Sequence, residues 1–299
     1  MGNHSKYILI GLLHLVDWDL PVAEFPLDSK VSLCKYKGSR VEELVNRLAQ
    51  TRYLDEGEPL RYETVIVYDS EFNPEDYYYL RRVIDLICSL IGIVYLGAPD
   101  LVNVIGTNDY KDGCIIYSQG SITYHNEFLY NLAEDKGVKV IINQETAQMV
   151  KSFWNNLQMD IPIEFDRIKN ALRFYTQAWK SGTDEEAVIN LAIVLETLFA
   201  PHYQNELSHQ IAMNICRFLR KSAQERRETY ELVKHIYAVR SKIVHGDYPS
   251  DSTNFSKYLQ EAYSLCAELL RFILIDKKLT AIFRDNDIRR EYLDNLQFA

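Results

Sequence analysis

Near residue 160 the hydrophobic period of the chain changes. Before that point, short β-branched or aromatic runs alternate with helical stretches. From Ile163 onward the strand signals stop, and apolar residues recur at three- and four-residue spacing through the segment Ser252 to Ile275. A chain of 299 residues with such a change predicts an α+β protein: a mixed α/β domain over 1–160, then an all-helical bundle over 161–299.

In the first part, Val31–Lys37, Glu63–Asp69, Cys114–Ser118 and Val138–Ile142 read as strands, each bounded by turn residues. KYILIGLLHLV is as apolar as the centre of a signal peptide. It has one lysine as its positive flank and no small-residue cleavage site after it, so a buried first strand is expected. Two helices are expected between these strands. Ser39–Arg52 opens with a capping-box pattern of Ser39 and Glu42. In Phe72–Gly92, Asn73 can cap, Pro74 suits the first helical position, and Glu75 and Asp76 suit the positive end of the dipole. In the second part about five helices are expected, within Phe165–Trp179, Asp184–Ala200, Glu206–Lys221, Glu225–His245 and Ser252–Ile275.

Several function classes drop out. Cys34, Cys88, Cys114, Cys216 and Cys266 are odd in number and never form C-x-x-C, which argues for reduced core thiols over disulfides or a zinc knuckle. The longest apolar run, Val83 to Ala98, is broken by Asp85 and is shorter than the roughly 20 residues of a membrane span. A cytoplasmic protein without membrane association is therefore expected. The formal net charge of −9 falls on the part up to residue 160, so a polyanion site in the helical half must be a local patch. No P-loop, G-x-S-x-G or G-x-G-x-x-G is present, and His202, Glu206 and His209 do not make a complete metal shell.

The end of the fourth expected helix, YAVRSKIVHGDYP, is the unusual stretch. Val233, Ile236, Tyr237, Arg240 and Val244 recur at helical spacing, which places Arg240 on the buried stripe, where a guanidinium needs a partner. DEEAVINLAIVLETLFA is apolar all round and leaves Glu196 mostly buried, so a pair between Glu196 and Arg240 would satisfy both charges. Such a pair is either a structural tie or one that also orients Arg240 for function. His245, five residues on, points away from Arg240 in an uninterrupted helix. Gly246 suits the left-handed residue that ends one, and unwinding there would let both side chains reach one cleft.

NLAIVLETLF, ELSHQIAMNICRFL and YAVRSKIVHGD, in that order and at those intervals, resemble the HEPN superfamily, most closely its ApeA-like branch from bacterial anti-phage and other conflict systems. The superfamily motif is an arginine, four to six residues, and a histidine; Arg240 and His245 fit it, over a resemblance spanning roughly residues 164 to 275. Ser241 stands where many members have Asn, Asp or His. The resemblance implies a helical bundle that dimerises with its motifs facing each other, and often a metal-independent ribonuclease. Some members bind nucleotide or RNA without cutting it.

Cutting RNA without a metal by 2′-hydroxyl attack requires a base, an acid and a cation for the phosphorane. One Arg240 and one His245 leave that set a proton carrier short, and a two-fold homodimer completes it. No metal or cofactor is then expected. His245 is the expected general acid or base and Arg240 the phosphate clamp, with Ser241 and Glu196 in support. Arg217, Arg220, Lys221, Arg226 and Arg227 gather around one interhelical link, either as an RNA-attracting patch or as solvated helix ends. Tyr237 and Tyr248 flank the motif, and each either stacks on a base or packs within the protein. The leading expectation is an endoribonuclease in anti-phage defence or a toxin-like role, whose acidic first domain answers a regulatory protein or a phage-derived trigger. The alternative is a non-catalytic module that binds nucleotide, RNA or protein.

Overall fold

The computed structural model describes residues 6–14, 16–38, 42, 62–71, 77–95, 100–108, 115–120, 140–157, 166–201, 206–219, 222–246 and 252–296. They form two compact units, one of described residues up to Leu157 and one of those from Asp166 onward. The architecture is α+β.

In the first unit, β1 (Lys6–His14), β3 (Glu24–Pro26), β4 (Val31–Lys35), β5 (Tyr62–Glu71), β6 (Asp100–Asn108) and β7 (Ile115–Gly120) form a six-stranded sheet. Its order is β3-β4-β5-β1-β6-β7, with every neighbouring pair antiparallel. A separate parallel pair joins β2 (Val16–Trp18) to β8 (Val140–Ile142). Residues Thr64 to Tyr68 of β5 are all buried. Because successive strand residues face opposite sides, both faces of β5 are covered, which explains its unbroken apolar run. The buried Thr64 hydroxyl donates to the Val16 carbonyl at 2.9 Å.

Among the described residues this unit also has two helices, α1 (Tyr77–Tyr95) and α2 (Gln144–Asn156), which pack on each other. α1 buries Val83, Ile84 and all of Leu86–Ile93, so this stretch is covered on nearly every side. α2 and β6 are not anticipated by the sequence. Asn143 marks the start of α2 by accepting from the Thr146 amide, but the helix itself is strongly polar. β6, DLVNVIGTN, mixes Asn, Gly and Thr into its apolar residues and lacks a clean strand signal. Of the expected helix Ser39–Arg52, every residue except Glu42 lies outside the described residues, as does Cys114.

Seven described helices build the second unit: α3 (Arg167–Trp179), α4 (Asp184–Phe199), α5 (Leu207–Leu219), α6 (Ala223–Val244), α7 (Ser252–Ile275), α8 (Lys277–Arg284) and α9 (Asn286–Asn295). α4 touches α3, α5, α6 and α7, which is why its apolar residues surround it. The five expected helices are all present. The sequence reading lacks α8 and α9, which are short, although Asp276 and Asp285 cap them through the following amides. Cys34, Cys88, Cys216 and Cys266 are buried thiols outside any disulfide. No described helix is long and apolar enough to cross a membrane.

α6 and α7 meet at a stacked pair, His235 on Tyr258, with ring centroids 3.7 Å apart. Burial lowers the His235 pKa and Lys242 adds to the effect, while Glu261 opposes it. Protons then bind the unfolded chain more readily, so this contribution is complete above the unfolded value of 6.5 and declines as pH falls through it. Urea midpoints between about pH 7 and 5 are expected to fall more steeply in the natural protein than in His235→Phe, which keeps the stack.

Candidate functional site

α6 starts with a capping box, in which Ser222 Oγ accepts from the Glu225 amide and Glu225 Oε2 accepts from the Ser222 amide at 2.8 Å. It runs to Val244, with His245 as its C-cap and Gly246 at φ 83°, the left-handed conformation the sequence predicts for that glycine. A Cβ added at Gly246 would meet nothing within 4 Å, so backbone strain is the whole cost of a side chain there. Gly246→Ala is expected to lower stability by about 1 kcal/mol, read as a shift in urea midpoint at unchanged slope.

The cross-bundle pair is present. Arg240 Nη1 lies 3.0 Å from Glu196 Oε1, with the two side chains 33% and 24% exposed. Glu196 sits in the last turns of central α4, whose capping lies at Thr197 to Ala200. Thr197 O accepts from Arg167 Nη1 at 2.9 Å, Leu198 O and Ala200 O from Arg289 Nη1 at 2.9 and 3.0 Å, and Phe199 O from Asn214 Nδ2 at 3.1 Å. Side chains from α3, α5 and α9 thus satisfy carbonyls that a helix end leaves open. They also hold the turn that carries Glu196. Sequence reasoning passed over Arg167, Arg289 and Asn214, because a bond to a main-chain carbonyl calls for no particular residue type on the accepting side.

Tyr237 packs one turn before Arg240 at 8% exposure, and the Arg240 guanidinium carbon is 6.0 Å from its ring centre. Arg240 Nε is enclosed without a hydrogen-bond partner, and the enclosed Tyr237 hydroxyl lies beside the Glu196 carboxylate. Burial raises the Tyr237 pKa well above the usual phenol value and the Glu196 carboxylate raises it further, so the hydroxyl stays protonated. A ring this enclosed takes the packing alternative of the two open to it.

Two further expectations need correction. The apolar stripe does not continue to the helix end: Val233, Ile236 and Tyr237 are buried, but Val244 is 64% exposed. Nor does Gly246 bring His245 onto the face of Arg240. The backbone turns only after His245, whose amide still donates to the Ser241 carbonyl at 3.1 Å. Five residues at about 100° each leave the two side chains roughly 140° apart around α6. Ser241 and His245 are both exposed.

The basic cluster lies at the other end of α6. Arg217 closes α5, and Arg226 and Arg227 are exposed in the first turns of α6, where the Cys216 thiol meets the Arg226 carbonyl at 3.1 Å. Fourteen residues of helix place Arg226 about 21 Å along the axis from Arg240. Within one chain this patch is therefore separate from the motif. Arg220, Lys221 and Tyr248 lie outside the described residues, as does His202. His209 Nδ1 is 2.8 Å from the Tyr230 hydroxyl, a packing role, and no metal-holding group of His, Cys, Asp or Glu occurs among the described residues. No protein-family model, curated protein or solved structure matches the chain.

Proposed function

We propose that this chain is a metal-independent HEPN-type endoribonuclease that acts as a homodimer. The observation that carries the reading is the end of α6, where Arg240 is anchored by Glu196 and His245 stands exposed at a helix end closed by Gly246. The sequence resemblance to HEPN proteins, centred on these residues, supports it. The 140° divergence of Arg240 and His245 favours a site completed by a second copy, because one chain does not present both to the same phosphate. Exposed Val244, beside His245, offers apolar surface for that contact.

In the proposed step, the 2′-oxygen attacks phosphorus as one His245 accepts its proton. The bond from phosphorus to the 5′-oxygen breaks, and the second His245 protonates the departing oxygen. Arg240 exchanges part of its contact with Glu196 for phosphate oxygens and stabilises the phosphorane, while Ser241 donates a further hydrogen bond. The products carry 2′,3′-cyclic phosphate and 5′-hydroxyl ends. By analogy alone, the first unit senses a regulatory protein or phage-derived trigger in the bacterial cytoplasm and restrains the nuclease in anti-phage defence or a toxin-like role.

The test is incubation of total cellular RNA with the purified chain in EDTA, followed by analysis of the ends. Cyclic phosphate ends support the proposal; no cutting, even with cell extract added as a source of activator, sinks it. A second reading, a non-catalytic binding module, draws on the same Glu196–Arg240 pair over buried Tyr237 as a tie between α4 and α6.

A further inference from the structure

A cavity of about 570 Å³ opens in the helical unit where the start of α3, the last turn of α4, the end of α8 and the start of α9 converge. Its size is that of a small-molecule site, but its lining is polar: Arg167, Asn170, Thr197, Arg284, Asp285 and Asn286 contribute. A hydrophilic ligand suits it.

The charges in this lining are unequally occupied. Asp166 is also at the wall, but it is neutralised by Arg284 Nε at 2.8 Å and Lys169 Nζ at 3.5 Å. Asp285 Oδ1 is committed as the cap of α9, accepting from the Asp287 and Ile288 amides at 2.9 and 3.0 Å. Arg167 has only neutral partners: Nη1 donates to Thr197 O, and Nε to Asn286 Oδ1. No carboxylate forms an ion pair with it among the described residues.

Capping of α4 explains the Nη1 bond but leaves the Nη2 donors of Arg167 unused. The charges around Arg167 reinforce the point. Burial lowers its pKa and Arg290 lowers it further, while the Arg289 value, about 10, is depressed first by burial and then by Arg167 and Arg290. Arg289 and Arg290 stand behind Arg167 and do not line the cavity, so Arg167 alone of the three brings its charge to the wall, where Asn170 adds an enclosed Oδ1 without a hydrogen-bond partner.

We propose that this cavity binds a small phosphomonoester, its phosphate on Arg167 beside Arg284 and its hydroxylated part against Asn170 and Asp285. Phosphate is preferred to carboxylate because its three terminal oxygens can take the free Nη2 edge of Arg167 and still accept from a second donor on the wall. The volume exceeds that of the anion alone, and acceptors on the remaining wall match sugar hydroxyls. Binding here does not depend on RNA cleavage by the α6 motif.

The test is calorimetry on the full chain with ribose 5-phosphate, inorganic phosphate and ribose as probes. Saturable binding of one ribose 5-phosphate per chain is expected, with weaker inorganic phosphate and no ribose. Arg167→Gln should weaken the first by about tenfold or more. Because Arg167 also caps α4, Arg284→Gln serves as the second variant; it leaves that cap intact and should weaken binding in the same direction. No saturable ribose 5-phosphate binding overturns the proposal, as does equal affinity for inorganic phosphate or for ribose. Binding unchanged in both variants also overturns it.

Discussion

Arg289→Met is expected to destabilise the helical unit by about 2–3 kcal/mol, since the buried Leu198 carbonyl loses its donor at a cost of roughly 1–3 kcal/mol and the part-buried Ala200 carbonyl at a smaller one. Arg289 is 1% exposed, and its Nη1 serves both Leu198 O and Ala200 O. Its charge also opposes the negative end of α4, a contribution of about 0.3–1 kcal/mol. Against this, methionine relieves the burial of a guanidinium that Arg167 and Arg290 already repel. The unsatisfied carbonyls decide the sign, because methionine fills similar volume but donates nothing. The measurement is the urea midpoint together with amide exchange of residues 197–200. Exchange there should quicken before global unfolding, as the last turn of α4 frays and loosens Glu196. An unchanged midpoint with unchanged exchange would mean that water caps α4 as well as Arg289 does.

His245→Ala is expected to reduce RNA cleavage by at least about a hundredfold, the lower range for removing a general acid or base. Its effect on stability should stay within about 0.5 kcal/mol, because the imidazole is exposed and makes no hydrogen bond or ion pair among the described residues. That contrast makes the variant informative. Activity lost with the urea midpoint retained agrees with the ribonuclease proposal. Cleavage at the natural rate removes His245 from the chemistry, and with it the mechanism proposed here. A midpoint lowered in step with activity would instead assign His245 a structural role at the end of α6.

The parts of this molecule that could be read from the chain are those whose signals are local. α1 and α3 to α7 announce themselves through apolar period, and the end of α6 through Gly246. The Glu196–Arg240 pair was legible for a related reason: each charge sits on an otherwise apolar segment, and burial leaves few ways to satisfy it. Tyr237 was ambiguous because a tyrosine beside a polar motif and a tyrosine in a core look alike until neighbours are known.

Packing alone settled the rest. The antiparallel order β3-β4-β5-β1-β6-β7 depends on pairings between distant segments, one of which, β6, carries Asn, Gly and Thr in place of a clean strand signature. The cap on α4 comes from Arg167, 30 residues away, and Arg289, 91 residues from Leu198. Those guanidinium groups bind main-chain carbonyls, which every residue possesses, so no pattern of side chains could mark the partner in advance. The same contacts bring Arg167, Thr197 and Arg284 to one polar cavity, a juxtaposition that exists only once four helix ends meet.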